Sequence, residues 1–145
     1  MGLTLQLDGE AYHAIVDHAA AAGTDECCGV LVGSDHSEAD RREVREAWPI
    51  TNIAPARVRP HRFTLDPLEL MKLERRADDA GLRVLGIYHS HPNGVCRPSE
   101  VDRREAWGWY SYLIVAPSPD GWQVGAWRLV ADRFEAEDVD LVATS

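Results

Sequence analysis

The sequence has no basic field, no disulfide complement and no long apolar run, and each shortage removes a class of protein. Asp and Glu outnumber Lys and Arg by 24 to 15, a formal net charge of −9 over 145 residues. Proteins that hold nucleic acid displace phosphate counterions with Lys and Arg, so no nucleic-acid partner is expected. The acidity suits a high-salt cytoplasm and a basic partner equally well. The five tryptophans come without a basic groove, so they read as core and rim packing rather than a platform for stacked bases. Cys27, Cys28 and Cys96 form an odd set without a disulfide framework, which suits a reducing, cytoplasmic setting. Cys27 and Cys28 read as small strand hydrophobes. No stretch is long and apolar enough to span a membrane. Met1 to Leu7 has neither the basic start nor the apolar run of a signal peptide. Gln6 stands where myristoylation after Gly2 needs Ser or Thr.

What is present describes an ordinary globular protein, 45% hydrophobic and 27% charged, long enough for one domain with a proper core. Leu3–Leu7 alternates like a short strand. Asp8 caps a helix whose Ala11, Ile15, Val16, Ala19 and Ala22 recur at helical spacing, and Gly23 ends it. His13 and His18 on this helix read as solvated surface residues. A strand Cys27–Val32, a polar loop Ser34–Asp40 and a strand around Val44–Trp48 follow. Asp66-Pro67-Leu68-Glu69 starts a second helix, with cap, proline at the first helical position and acid at the third. It runs to about Ala80, stops at Gly81, and turns Leu70, Leu73, Ala77 and Ala80 to a core. Leu82–Tyr88 reads as a buried strand. Trp109–Ala116 and Trp122–Val130 are aromatic-rich strands joined through Pro117–Gly121. A last strand Arg133–Glu137 closes a domain of residues 1–137, leaving 138–145 as a tail.

The informative stretch runs His89-Ser90-His91-Pro92-Asn93-Gly94-Val95-Cys96-Arg97-Pro98-Ser99-Glu100-Val101-Asp102. Strand side chains repeat every two residues, so His89 and His91 share a face and both can reach one zinc ion, at about 2.0–2.1 Å each. The chain turns through Pro92-Asn93-Gly94 and restarts at Pro98-Ser99, which returns Asp102 towards the histidines. Two His and one Asp leave a fourth tetrahedral position open for water, as in catalytic zinc sites. Ser99 and Asp102 also spell a capping box, so a helix start explains them by itself. An open position on zinc calls for a nearby base that accepts the proton of a zinc-bound water and delivers it to a departing amine. The Ser99 hydroxyl can stabilise the negative charge that collects on the carbonyl oxygen. Cys96 lies in the same loop, but the zinc geometry does not need it.

His-x-His, seven residues, Ser, two residues, Asp, with one upstream Glu, resembles the JAMM motif of the MPN+ zinc metalloprotease family. Thr51-Asn52 and Phe63-x-x-Asp66-Pro67 resemble its short, stand-alone prokaryotic branch less specifically. The resemblance implies an α/β fold of the cytidine-deaminase-like kind, a single domain with a mixed, curved sheet flanked by helices. It implies one zinc (Zn2+) per chain, held by His89, His91 and Asp102, with Glu26 and Ser99 as catalytic residues. It also implies hydrolysis at the C-terminal Gly-Gly region of a ubiquitin-like or sulfur-carrier protein by a monomer or weak homodimer. A cytidine deaminase would need a Pro-Cys-x-x-Cys pair, which is absent. The remaining rival is a catalytically silent MPN scaffold or zinc-binding interaction module, although scaffolds typically lose the ligands that are all present here.

Pro49–His61 is broken by prolines and carries Arg57 and Arg59, with Arg62 just beyond; it reads either as a functional loop or as a solvated connector. As a functional loop it would place Asn52, Arg57 and Arg59 against a substrate tail lying between the loop and the Glu26 strand. An open strand edge there would pair with the tail's backbone.

Overall fold

The computed structural model describes residues 2–143. In chain order the elements are β1 (Thr4–Asp8), α1 (Gly9–Ala22), β2 (Cys28–His36), β3 (Arg41–Ile50), α2 (Pro67–Asp79), β4 (Arg83–Ser90), α3 (Glu100–Glu105), β5 (Ser111–Ser118), β6 (Gly121–Val130) and β7 (Arg133–Val142), with 3-10 turns at Ser37–Ala39 and Ala56–Val58. The strands close into a barrel in the order β1-β3-β2-β4-β5-β6-β7. β1 is parallel to both β3 and β7, β4 is parallel to β5, and the remaining neighbours are antiparallel. The α/β class with a mixed, curved sheet and flanking helices therefore holds, and the curvature goes far enough for β7 to meet β1.

Local chemistry explains both long helices. The Asp8 side chain accepts a hydrogen bond from the Glu10 amide and starts α1. Asp66 does the same for the Leu68 amide, with Pro67 supplying a residue that has no amide to leave unpaired. α1 packs Ala11, Ile15 and Ala19 against Leu5, Leu31, Leu85 and Leu113 on one side of the sheet. α2 packs Leu70 and Ala77 against Val30, Val32, Val84 and Ile87 on the other. Fully burying one such large side chain is worth about 1.5–3 kcal/mol, so the fold rests on these two clusters.

One irregularity aims the functional strand. Leu31 pairs with Gly86 and Val32 with Val84, so Leu85 is an extra residue in β4. A bulge of this kind shifts the side-chain alternation by one. Val84 and Ile87 consequently face α2, while Leu85 and Tyr88 face α1. Beyond the bulge the alternation resumes, sending His89 to the α2 side and Ser90 to the α1 side. Gly86 is required there, because a Cβ would sit 1.9 Å from the Ser111 carbonyl oxygen.

Several expected boundaries move. β2 extends through Ser34–His36, paired with Arg41–Glu43, so the polar loop shrinks to a short turn. The last strand does not stop at Glu137. It continues to Val142 because Asp138–Val142 pair in parallel with Thr4–Asp8, and Val139 packs on the α1-side core. His18 is not a solvated surface residue: its Nδ1 lies 2.7 Å from the Tyr88 hydroxyl. Burial holds the imidazole below its ordinary pKa and the phenol above its own, so the contact joins two neutral groups. Among the described residues no helix is long and apolar enough to cross a membrane.

Candidate active site

β4 ends at Ser90, and its backbone positions the pair of histidines. The Ser90 amide donates to the Cys27 carbonyl at 3.1 Å, and the His91 amide to the Val115 carbonyl at 2.9 Å. The Ser90 hydroxyl accepts from the Cys27 amide at 2.8 Å. Ser90 thus locks the His-x-His segment to the start of β2, leaving His89 and His91 on the opposite face. Both are buried, at 1% and 6% exposure. The turn to α3 passes through Gly94, whose φ of +86° is a conformation that favours glycine.

Three atoms converge. His89 Nε2 lies 3.0 Å from His91 Nε2, and Asp102 Oδ2 lies 3.2 Å and 3.1 Å from them. A tetrahedral zinc with ligand bonds of about 2.0–2.1 Å separates its ligands by roughly 3.3 Å, so this triangle fits one ion. The ligand set of two imidazoles and one carboxylate suits zinc as well. His91 Nδ1 lies 2.8 Å from the Val95 carbonyl, which can only accept; the proton therefore sits on Nδ1 and the Nε2 lone pair is free for a metal. Asp102 is also the acid of a complete capping box: its Oδ2 accepts from the Ser99 amide at 2.9 Å, and its own amide donates to Ser99 Oγ at 3.1 Å. Cap and candidate ligand are the same group, so the two sequence readings do not compete. Burial works against the charge of Asp102, but the two imidazoles and the Ser99 amide outweigh it and hold the carboxyl well below the usual range.

Glu26 is built differently. It is buried, brings a carboxylate oxygen to within 4.8 Å of both imidazoles, and has an Oε1 with no hydrogen-bond partner. Burial pushes its pKa up to about 8, with Asp102 adding to the rise and His91 opposing it. An orphaned buried oxygen beside a ligand triangle is what a polar occupant of the site would satisfy. Glu26, His91 and Ser99 line one cleft of about 330 Å³ together with His61, Asn93 and Arg97. On the other side, His89 and Asp102 border a cavity of about 460 Å³ walled by Phe63, Leu65, Ile87 and Tyr112.

In the structure much of the long loop is tied to the protein itself. Asn52 was expected to bind substrate, but its whole side chain is used inside the protein. Nδ2 donates to the Glu26 carbonyl at 2.9 Å and the Arg62 carbonyl at 3.1 Å, while Oδ1 accepts from the Ala54 and Thr64 amides at 3.0 and 3.1 Å. Arg59 lines the hollow beside Glu26, but its Nε is committed to the Ala54 carbonyl at 2.8 Å, and its own carbonyl accepts from the Glu26 amide. Arg62 is paired with Glu105 at 2.6 Å. Arg57 is exposed and outside the cleft lining. Nor does β2 offer an edge to a substrate tail, since β3 and β4 pair with it on both sides. Cys96 Sγ lies 3.6 Å from the Ile114 carbonyl. Ser90 was missed by sequence reasoning; its place between the two histidines, on the opposite strand face, was the available signal.

Residues 9–130 match the family described as prokaryotic homologs of the JAB domain. The chain belongs to that family. As a prokaryotic JAB protein it has the expected JAMM/MPN+ membership and is a JAMM-type hydrolase. It is similar to the desampylase of Haloferax volcanii, with 41% identity over 136 residues, 90% of this chain and 91% of that one. A CysO-cysteine peptidase of Mycobacterium tuberculosis is 30% identical over 140 residues, 95% of this chain and 91% of its own. A solution structure of a Desulfitobacterium hafniense protein superposes with a TM-score of 0.85 at 28% identity, covering 97% of this chain and 94% of that one.

Proposed function

We propose that this protein is a zinc-dependent peptidase or isopeptidase acting at the C-terminal Gly-Gly region of a ubiquitin-like or sulfur-carrier protein. The observation that carries the reading is the convergence of His89, His91 and Asp102 within 3.2 Å of one another, beside a buried and unpartnered Glu26. One zinc bound there supplies a Lewis acid and lowers the pKa of water towards about 7. Glu26 takes a proton from the attacking water and returns it to the departing amine, a role that suits a buried carboxylate with an unpartnered oxygen beside the triangle. Ser99 Oγ accepts from the Asp102 amide, which leaves its own proton free to meet the carbonyl oxygen as that oxygen gains charge. Gly-Gly suits a cleft of about 330 Å³, since it brings a carbonyl to the site with no side chains to accommodate.

The relatives support this class of substrate. Beside the desampylase and the CysO-cysteine peptidase stands a probable TtuB-protein conjugate cleaving protease of Thermus thermophilus, 40% identical over 76 residues, 52% of this chain and 50% of that one. The free thiols at Cys27, Cys28 and Cys96 suit work in a reducing cytoplasm. The test is to incubate the zinc-loaded protein with a ubiquitin-like carrier extended or conjugated beyond its terminal Gly-Gly, and to read the products by mass spectrometry. Cleavage directly after Gly-Gly, abolished by chelation, is expected. A fully zinc-loaded chain that leaves such carriers and conjugates intact would be an interaction module instead.

A further inference from the structure

Glu26 has to hold its carboxylate against the metal triangle without help from its own head group, because among the described residues no hydrogen bond reaches that side chain and Oε1 is orphaned. Its place must come from its backbone. Three holds act there. The Glu26 amide donates to the Arg59 carbonyl at 2.8 Å. The next residue, Cys27, is tied to Ser90. The Glu26 carbonyl accepts from Asn52 Nδ2 at 2.9 Å. Asn52 is the side chain that joins these holds. Its other amide proton goes to the Arg62 carbonyl, and its Oδ1 accepts from Ala54 and Thr64, closing the loop between positions 52 and 64 at its base. That loop supplies the Arg59 carbonyl to Glu26, and through Arg62 it pairs with Glu105 on α3, three residues after Asp102.

We propose that Asn52 is a positioning residue for proton transfer, fixing Glu26 against the metal triangle through the Glu26 carbonyl. The proposal rests on the reading of Glu26 as the group that moves the proton. All four hydrogen-bonding positions of the amide are filled, so Asn52 has nothing left to offer a substrate. Displacements of about 1 Å at a reacting group can cost on the order of 10²-fold in rate, which makes an anchor on a flexible glutamate consequential.

Asn52→Asp keeps the acceptor for Ala54 and Thr64 and removes the donors to the Glu26 and Arg62 carbonyls. In the zinc-loaded protein, kcat should fall roughly 10–100-fold, by the same factor on a folded carrier and on a short Gly-Gly peptide. KM should stay within about 2-fold and zinc at one per chain, since no ligand is touched. The Glu26 amide should exchange with deuterium about 10-fold faster, while amides in the centre of β5 keep their protection. If Asn52→Asp fails to fold, Asn52→Ser takes the same measurements, its shorter hydroxyl still able to cap the Ala54 amide. A rise in KM with kcat intact would make Asn52 a substrate ligand and overturn the proposal. Unchanged kcat with a lower melting temperature would make it a loop staple and overturn it as well. A wild-type protein that cleaves neither substrate sinks the proposed function, and the exchange of the Glu26 amide still tests the clamp.

Discussion

Two carboxylates face the same pair of imidazoles from regions built in opposite ways. Asp102 stands on the first turn of α3, where the Ser99 amide donates to it and both rings lie within 3.2 Å. That environment holds its carboxyl well below the usual range. Glu26 stands at the entrance to β2, buried, with no donor to its Oε1 among the described residues and a pKa pushed up to about 8. In the proposed function the strongly acidic carboxyl would hold the cation and the weakly acidic one would pass protons, so environment alone would separate the two roles.

Removing the anion should have the largest effect. Asp102→Ala is expected to take both zinc content and turnover to background, while circular dichroism stays native-like because neither core cluster includes Asp102. Retained zinc with a modest loss of rate would reduce Asp102 to a helix cap. Ser99→Ala should come next. Losing a donor to the developing oxyanion costs about 10²–10³ in kcat, and losing the cap about 1 kcal/mol in a denaturant titration. A stability loss with kcat unchanged would leave Ser99 as the cap alone.

The smallest effect concerns stability against pH. The folded pKa of Glu26, about 8, lies above its ordinary value of 4.5, so between these values the native state holds a proton that the unfolded chain has released. Native stability contributed by this group is therefore full below 4.5 and declines as pH rises through 8. In metal-free protein Glu26→Gln, which cannot ionise, should gain roughly 3 kcal/mol on wild type between pH 4.5 and pH 7, read from paired denaturation curves. Parallel curves would mean that Glu26 is hydrated and its carboxyl ordinary, and the contrast with Asp102 would disappear.

The convergence of His89, His91 and Asp102 was legible in the sequence because it is local. His89, His91, Ser99 and Asp102 fall within one short stretch, and strand alternation plus a helix start dictate which way they point. The helix starts at Asp8 and Asp66 were legible for the same reason. Long-range pairing hid the rest. Asn52 looks like a loop residue free for substrate until Glu26, Arg62 and Thr64 fold against it. His18 looks solvated until Tyr88, seventy residues away, meets it. Asp138 and Asp140 look like a solvated tail until β1 offers them a parallel partner. An edge beside Glu26 was plausible until β3 and β4 closed it from both sides.

The division of labour between the two carboxylates is tested most directly by measuring zinc content and single-turnover rate together for Glu26→Gln. Gln fills nearly the same space and cannot carry the proton. The expected result is one zinc per chain, as in wild type, with the rate on a Gly-Gly-extended carrier down by roughly 10²–10⁴-fold. A variant that loses its zinc, or that keeps both zinc and rate, would contradict the assignment of Glu26 as the proton carrier.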